Sequence, residues 1–139
     1  MKKIIIYGIL ALIGLFMNSC TKSENEENPI IGKWDDNIKL SQKTATLNSN
    51  ENSITITTES TFWWLGEISL DNKNIDLTNT ERVSKNFVIT KSDFQIERKE
   101  DGKKIIITLN QNNTNSERIL TVILQNGDYF DSVKITQSK

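Results

Sequence analysis

Whatever chemistry this chain performs falls to its carboxylates and its aromatic rings, because none of its 139 residues is a histidine. Imidazole acid–base catalysis, Ser-His-Asp triads and most zinc or copper sites are thereby excluded. Glu97, Glu100 and Asp101 lie close together in sequence. Glycoside hydrolysis needs two carboxyl groups about 5–9.5 Å apart across a cleft, and nothing in their spacing announces one. No catalytic residue and no enzymatic activity is therefore expected. Asp35, Asp36, Asn37 and Asp71 carry oxygens suited to calcium, but no loop repeats such ligands at regular spacing. Capping and solubility explain them better, so neither a metal nor a cofactor is expected. The aromatic residues say more. Thr61 to Ile68 reads TFWWLGEI, and Tyr129 and Phe130 form a second pair near an Asn-Gly turn. An apolar ring face with a polar tip suits a sugar as well as a core. Trp63, Tyr129 and Phe130 are accordingly the candidate ligand-binding residues.

The elements that must position these rings are strands. No stretch shows an apolar period near that of a helix, and short alternating runs are separated by Asn, Asp and Gly. Ile38–Leu40 with Thr44–Leu47 reads as a broken first strand. Ser53–Thr58, Phe62–Ile68, Phe87–Thr90, Phe94–Arg98, Lys104–Leu109, Arg118–Leu124 and Tyr129–Gln137 follow. The polar segment Asp71 to Asn86 either hides an edge strand near Ile75–Leu77 or forms a functional loop. Asp101-Gly102 and Asn126-Gly127 are hairpin signals, the second of the type I′ kind. Ile105, Ile107, Leu109, Leu120, Val122, Leu124, Val133 and Ile135 should share one inward face. The fold class is all-β, an immunoglobulin-like β-sandwich of about 7–8 antiparallel strands.

Alternation also assigns the tryptophans, whose side chains must point to opposite faces of a strand. If the parity of Ile54 and Ile56 carries through the Glu59-Ser60 turn, Phe62 and Trp64 face the core and Trp63 faces out. A one-residue bulge would swap them.

The N-terminus, MKKIIIYGILALIGLFMNSC, joins a positive pair, an apolar run and the single cysteine of the chain. The thirteen apolar residues from Ile4 to Phe16 rise only about 20 Å as a helix, short of a hydrocarbon core of about 30 Å. Residues 1–19 therefore read as a signal peptide. The stretch resembles a bacterial lipoprotein signal cleaved before Cys20, which implies a diacylglyceryl group on that thiol and a membrane partner reached through the lipid anchor. Residues 20–29 then form an acidic tether, with Glu24, Glu26 and Glu27 ahead of Pro29. That segment resembles the surface-export signal of Bacteroidetes lipoproteins, which implies the outer membrane and favours its cell-surface face; an ordinary linker on the periplasmic face is the alternative. About 110 residues, 30–139, remain for one domain with its own core. Removing Lys2 and Lys3 takes the formal charge from −1 to −3, and no basic cluster offers a nucleic acid a footing.

From Ile38 to Lys139 the sequence resembles BACON domains (Bacteroidetes-associated carbohydrate-binding often N-terminal). The matching pieces are ITITTESTFWW, Asn110, Arg118 and the closing Ile135-Thr136-Gln137; the segment from Leu70 to Asn86 is longer and more polar than the family pattern. The resemblance implies glycan or mucin binding by a non-catalytic sandwich. A structural or adhesive protein that binds another surface protein is the alternative. Ile31-Gly32-Lys33-Trp34 also matches the Gly-x-Trp opening of lipocalin-like barrels, which implies a small-ligand barrel instead. Trp34 is otherwise an apolar anchor at the entry to the domain, Trp64 a core residue and Arg118 a structural hydrogen-bond donor. Asp131-Ser132-Val133 fits a short bacterial O-glycosylation pattern, with Ser132 as acceptor.

Overall fold

The computed structural model describes Trp34 to Lys139. The signal peptide, Cys20 and the acidic tether lie outside these residues. Among the described residues nine strands form: β1 (Thr44–Leu47), β2 (Asn52–Thr57), β3 (Trp64–Leu70), β4 (Lys73–Asn74), β5 (Phe87–Thr90), β6 (Phe94–Lys99), β7 (Lys104–Leu109), β8 (Arg118–Asn126) and β9 (Tyr129–Gln137). They build two sheets, one in the order β1-β9-β8-β3-β4 and the other β2-β7-β6-β5. Two stacked open sheets are a sandwich and not a closed lipocalin-like barrel. All pairings are antiparallel except β1 with β9, which is parallel.

Period-2 alternation of Ile, Val and Leu is what makes these segments strands with one buried face. β8 shows it most plainly, with Leu120, Val122 and Leu124 buried and Ile119, Thr121 and Ile123 turned outward. All eight residues expected to share the inward face are buried, and they meet Ile56, Leu65, Ile68, Phe94 and Ile96 in one core.

Two turns differ from expectation. Both Asp71 (φ 48) and Asn72 (φ 62) have positive φ between the paired Leu70 and Lys73, so the type I′ signature belongs to β3-β4. In the β8-β9 hairpin Asn126 pairs with Tyr129, which leaves Gly127-Asp128 as the loop, and only Gly127 has positive φ. Glycine at the first central position suits a type II′ turn. The edge strand sought at Ile75–Leu77 is two residues long and lies at Lys73–Asn74. Ile38–Leu40 contributes a single bridge, Leu40 with Thr58. From β4 the chain crosses to the other sheet through residues 75–86. It is held on the way by Ile75 N–H donating to Ile68 O and Leu65 N–H donating to Arg82 O.

Candidate functional site

The two tryptophans sit on the reverse of their expected faces. Trp63 is buried at 2% exposure, Trp64 is half-buried, and Phe62 is 75% exposed. Trp63 is therefore unavailable to a ligand, and Trp64 is not a core residue. The reason is the sheet switch. β2 and β3 belong to different sheets, and residues 58–63 between them are irregular, so no parity carries across. A second shift, the bulge between Leu65 and Glu67, then keeps both Leu65 and Ile68 inward.

What Trp63 covers is a buried arginine that the sequence reading did not single out. Arg98 is 1% exposed, its guanidinium carbon 3.5 Å from the centroid of the Trp63 ring. Nη1 donates to Ser84 O (2.8 Å) and Nη2 to Thr61 O (3.0 Å), while Nε finds no hydrogen-bond partner among the described residues. Burial pushes the guanidinium pKa down to about 10. Trp63 Nε1 donates to Thr58 Oγ1, and that hydroxyl donates its one proton to Ser60 O at 2.7 Å, with Gly102 O 3.2 Å away. Alternation held the signal: Arg98 continues the inward series Phe94, Ile96.

This packing leaves an apolar groove at the same end of the sandwich. It holds about 390 Å³ and is lined by Phe62, Trp64, Val83, Lys85 and Asn126, with Thr61 and Trp63 behind. Phe62 and Val83 are among its most open walls, and Lys85 Nζ lies 5.5 Å from the centroid of the Phe62 ring. Trp64 Nε1 donates to Gln125 Oε1 (3.1 Å) and Gln125 Nε2 to Gly127 O (3.0 Å), which fixes the indole. Strand register sets Trp64, Gln125 and Phe130 side by side on the outer face of the five-stranded sheet. Phe130 is 57% exposed there. Tyr129 instead turns toward the core edge, and burial first, then the Asp131 charge, pushes its phenol up to about 12. Val83 and Lys85 come from the long polar segment, where no periodicity marks them.

Arg118 lies at the opposite end. It donates from Nε to Gln137 Oε1 (3.1 Å), from Nη1 to Asp93 Oδ1 (2.8 Å) and from Nη2 to Asn110 O. Gln137 Nε2 in turn reaches the carbonyls of Asn50 and Asn110. Asn112, also buried, ties Ser116 O to Ser138 O. Trp34 is 58% exposed, because no core strand extends to it. Ser132 is half-buried within β9, opposite Ile123, in a regular strand.

The carboxylates that drew notice in the sequence have local duties. Asp36 accepts from the N–H groups of Ile38 and Lys39 and meets Lys43 at 3.1 Å, while Asp131 meets the same ammonium at 2.9 Å. Burial works to raise the Asp36 pKa, but the Lys39 N–H and the Lys43 ammonium outweigh it and hold the carboxyl below its usual value. Glu97 is paired with Lys99 and Glu100 with Lys104. Asp71 Oδ1 accepts from Ile119 N–H. No group of three or more acidic, histidine or cysteine residues among the described residues is arranged to hold a metal ion.

These sheets define an immunoglobulin-like β-sandwich. No protein-family model matches the chain, and no curated protein matches it. Among solved structures it is similar to a protein from Bacteroides thetaiotaomicron whose NMR structure is known. The two are 18% identical over 75% of this chain and 88% of the other, with a TM-score of 0.61. It is also similar to titin domain M7, at 10% identity over 73% of this chain and 93% of that domain, with a TM-score of 0.47. For titin domain M3 the identity is 7% over 72% of this chain and 93% of that one, with a TM-score of 0.42. Likeness at such identities is one of fold.

Proposed function

We propose that this protein is a surface lipoprotein, anchored in the outer membrane through a lipid on Cys20, whose non-catalytic BACON-like sandwich binds glycans such as those of mucins. The observation that carries the reading is the groove in which Phe62, Val83 and a fixed Trp64 face solvent beside Lys85 and Asn126. A sugar offers C–H faces to rings and hydroxyls to polar neighbours, and a shallow groove with rings on its walls accepts both. Phe130 extends the ring surface across β9. The arrangement offers ring faces and polar groups for contact, and its charged side chain, Lys85, lies over the Phe62 ring.

Binding of the lipid-free protein, residues 21–139, to a panel of host and plant glycans tests the proposal. Wild type should bind a subset of the panel. Phe62→Ala and Trp64→Ala should each weaken binding about tenfold, near the 1.4 kcal/mol expected for a lost ring contact, with unchanged circular dichroism. No binding across the panel, or binding indifferent to both substitutions, would remove this groove as a glycan site. Trp63→Ala is not a useful probe, because it empties the core.

A further inference from the structure

We infer that β5 carries a second binding surface, one that takes an extended, basic segment of a partner protein as an added strand. This surface is independent of the aromatic groove.

Hydrogen-bond phase decides which backbone groups of β5 face outward. Lys91 N–H donates to Phe94 O at 2.9 Å, so Lys91 and Phe94 form a hydrogen-bonded pair at the turn of the β5-β6 hairpin. Bonded and non-bonded pairs alternate along an antiparallel ladder. Ile89 with Ile96 and Phe87 with Arg98 are then bonded pairs, and Val88 and Thr90 point their N–H and C=O groups away from β6. β5 is an outer strand of its sheet, so those groups face an open edge. None of them has a backbone partner among the described residues. Val88 is also 59% exposed.

Other edges are better defended. At β2, Ser41 and Thr57 exchange bonds, Ser41 N–H to Thr57 O and Thr57 N–H to Ser41 Oγ, both 2.9 Å. At β1, Gln42 Nε2 occupies Thr44 O. β4 is only two residues long. Beside β5, by contrast, runs a groove of about 470 Å³ whose far wall is the segment from Asp76 to Glu81. A trough bounded by an open strand edge is the geometry of strand addition, in which main-chain bonds supply affinity and flanking side chains supply selectivity.

Charge selects the occupant. Asp76 and Glu81 line the groove against one cation among the described lining residues, Lys91, whose Nζ donates to the Asp76 carbonyl at 3.2 Å and leaves the lining net acidic. The hydroxyl and N–H of Thr78 hold the Asp76 carboxyl below its usual pKa, so it is ionised at neutral pH. A segment with Lys or Arg at alternate positions complements this wall, and an acidic one is repelled. The chain's own acidic stretch behind Cys20 is excluded on the same ground.

The test uses the whole lipid-free protein and two extended peptides, one alternating Lys with Val and one alternating Glu with Val. The Lys-Val peptide should bind at least tenfold more tightly than the Glu-Val peptide, and it should slow amide exchange at Val88 and Thr90. Val88→Pro removes one outward N–H while sparing every ladder bond, since proline is tolerated where an edge N–H faces out. It should weaken the Lys-Val peptide at least tenfold and leave glycan binding unchanged. Equal binding of the two peptides, or binding that Val88→Pro does not alter, would overturn the inference. So would fast exchange at Val88 and Thr90 that the peptide leaves untouched. Dimerisation abolished by Val88→Pro would reassign the edge to a second copy of this chain.

Discussion

Arg118 and Arg98 are buried at opposite ends of one sandwich, the first in a network of amides and a carboxylate, the second against an indole with no anion beside it. Arg118 spends its donors on Gln137, Asn110 and Asp93, and Gln137 passes the connection to Asn50. Among the described residues Arg98 has two carbonyls, the face of Trp63 and an Nε without a partner. Desolvating a guanidinium is costly, and the cost is offset only where hydrogen bonds and charge replace water. The Arg118 end is therefore a closed polar seam. The Arg98 end is a compromise, and the exposed rings of the groove are built over it. Polar hydrogen bonding is concentrated at one end, and the aromatic groove proposed for glycans lies at the other.

The largest effect should come from breaking the seam. Arg118→Met deprives the fully buried Gln137 Oε1 of its donors, and a buried acceptor left unpaired costs about 1–3 kcal/mol. With the lost contact to Asp93, urea unfolding should show a loss of about 3 kcal/mol. Arg98→Met keeps most of the volume and removes an uncompensated charge, and such exchanges are often near neutral. It should cost about 1 kcal/mol or less. Equal losses for the two variants would end the contrast between seam and compromise.

How far the sequence reveals this division depends on what kind of pattern each part leaves. Alternating Ile, Val and Leu made the eight inward residues of β7, β8 and β9 readable, because a buried face forces period 2. Arg118 stood out by opening a strand after an asparagine-rich turn. Arg98 obeyed the same alternation but carries a charge, and a charge at an inward position is read as surface unless a partner is visible. Its partner was Trp63, whose face depended on a sheet switch that leaves no mark in local sequence. Val83 and Lys85 were hidden for a different reason. Loop residues are placed by long-range contacts: Lys85 lies over the Phe62 ring, and the neighbouring Arg82 Nη1 donates to Gly66 O. The parallel pairing of β1 with β9 is likewise a long-range fact with no local signature.

Gly102 offers a sharper test of the weaker end. Its φ is +90°, and a Cβ there would lie 2.5 Å from Arg98 Nη2. Gly102→Ala should therefore lose about 2 kcal/mol, from backbone strain and from overlap with the guanidinium together. In an Arg98→Ala background the overlap disappears and only the conformational part remains, about 1 kcal/mol. A double-mutant cycle in chemical denaturation measures that coupling. Strictly additive losses would mean that Gly102 does not cradle Arg98.

The smallest expected effect concerns pH, and it too belongs to the Arg98 end, where β9 begins. The Tyr129 phenol is pushed up to about 12, so its contribution to stability is complete below the ordinary value of 10.0 and is lost as pH rises through about 12. Arg98 runs the other way. Burial pushes its folded value down to about 10, below its ordinary value, so the folded state releases that proton first, and its contribution becomes more favourable as pH climbs above about 10. In the wild type the two trends oppose each other. Tyr129→Phe removes one of them and keeps the ring against the core. Comparing urea midpoints at about pH 9 and about pH 11, the variant should retain more of its stability than the wild type does. Parallel losses in both proteins would show that the Tyr129 phenol is no better buried in the folded chain than in the unfolded one, and the end of the sandwich around it is then open to water.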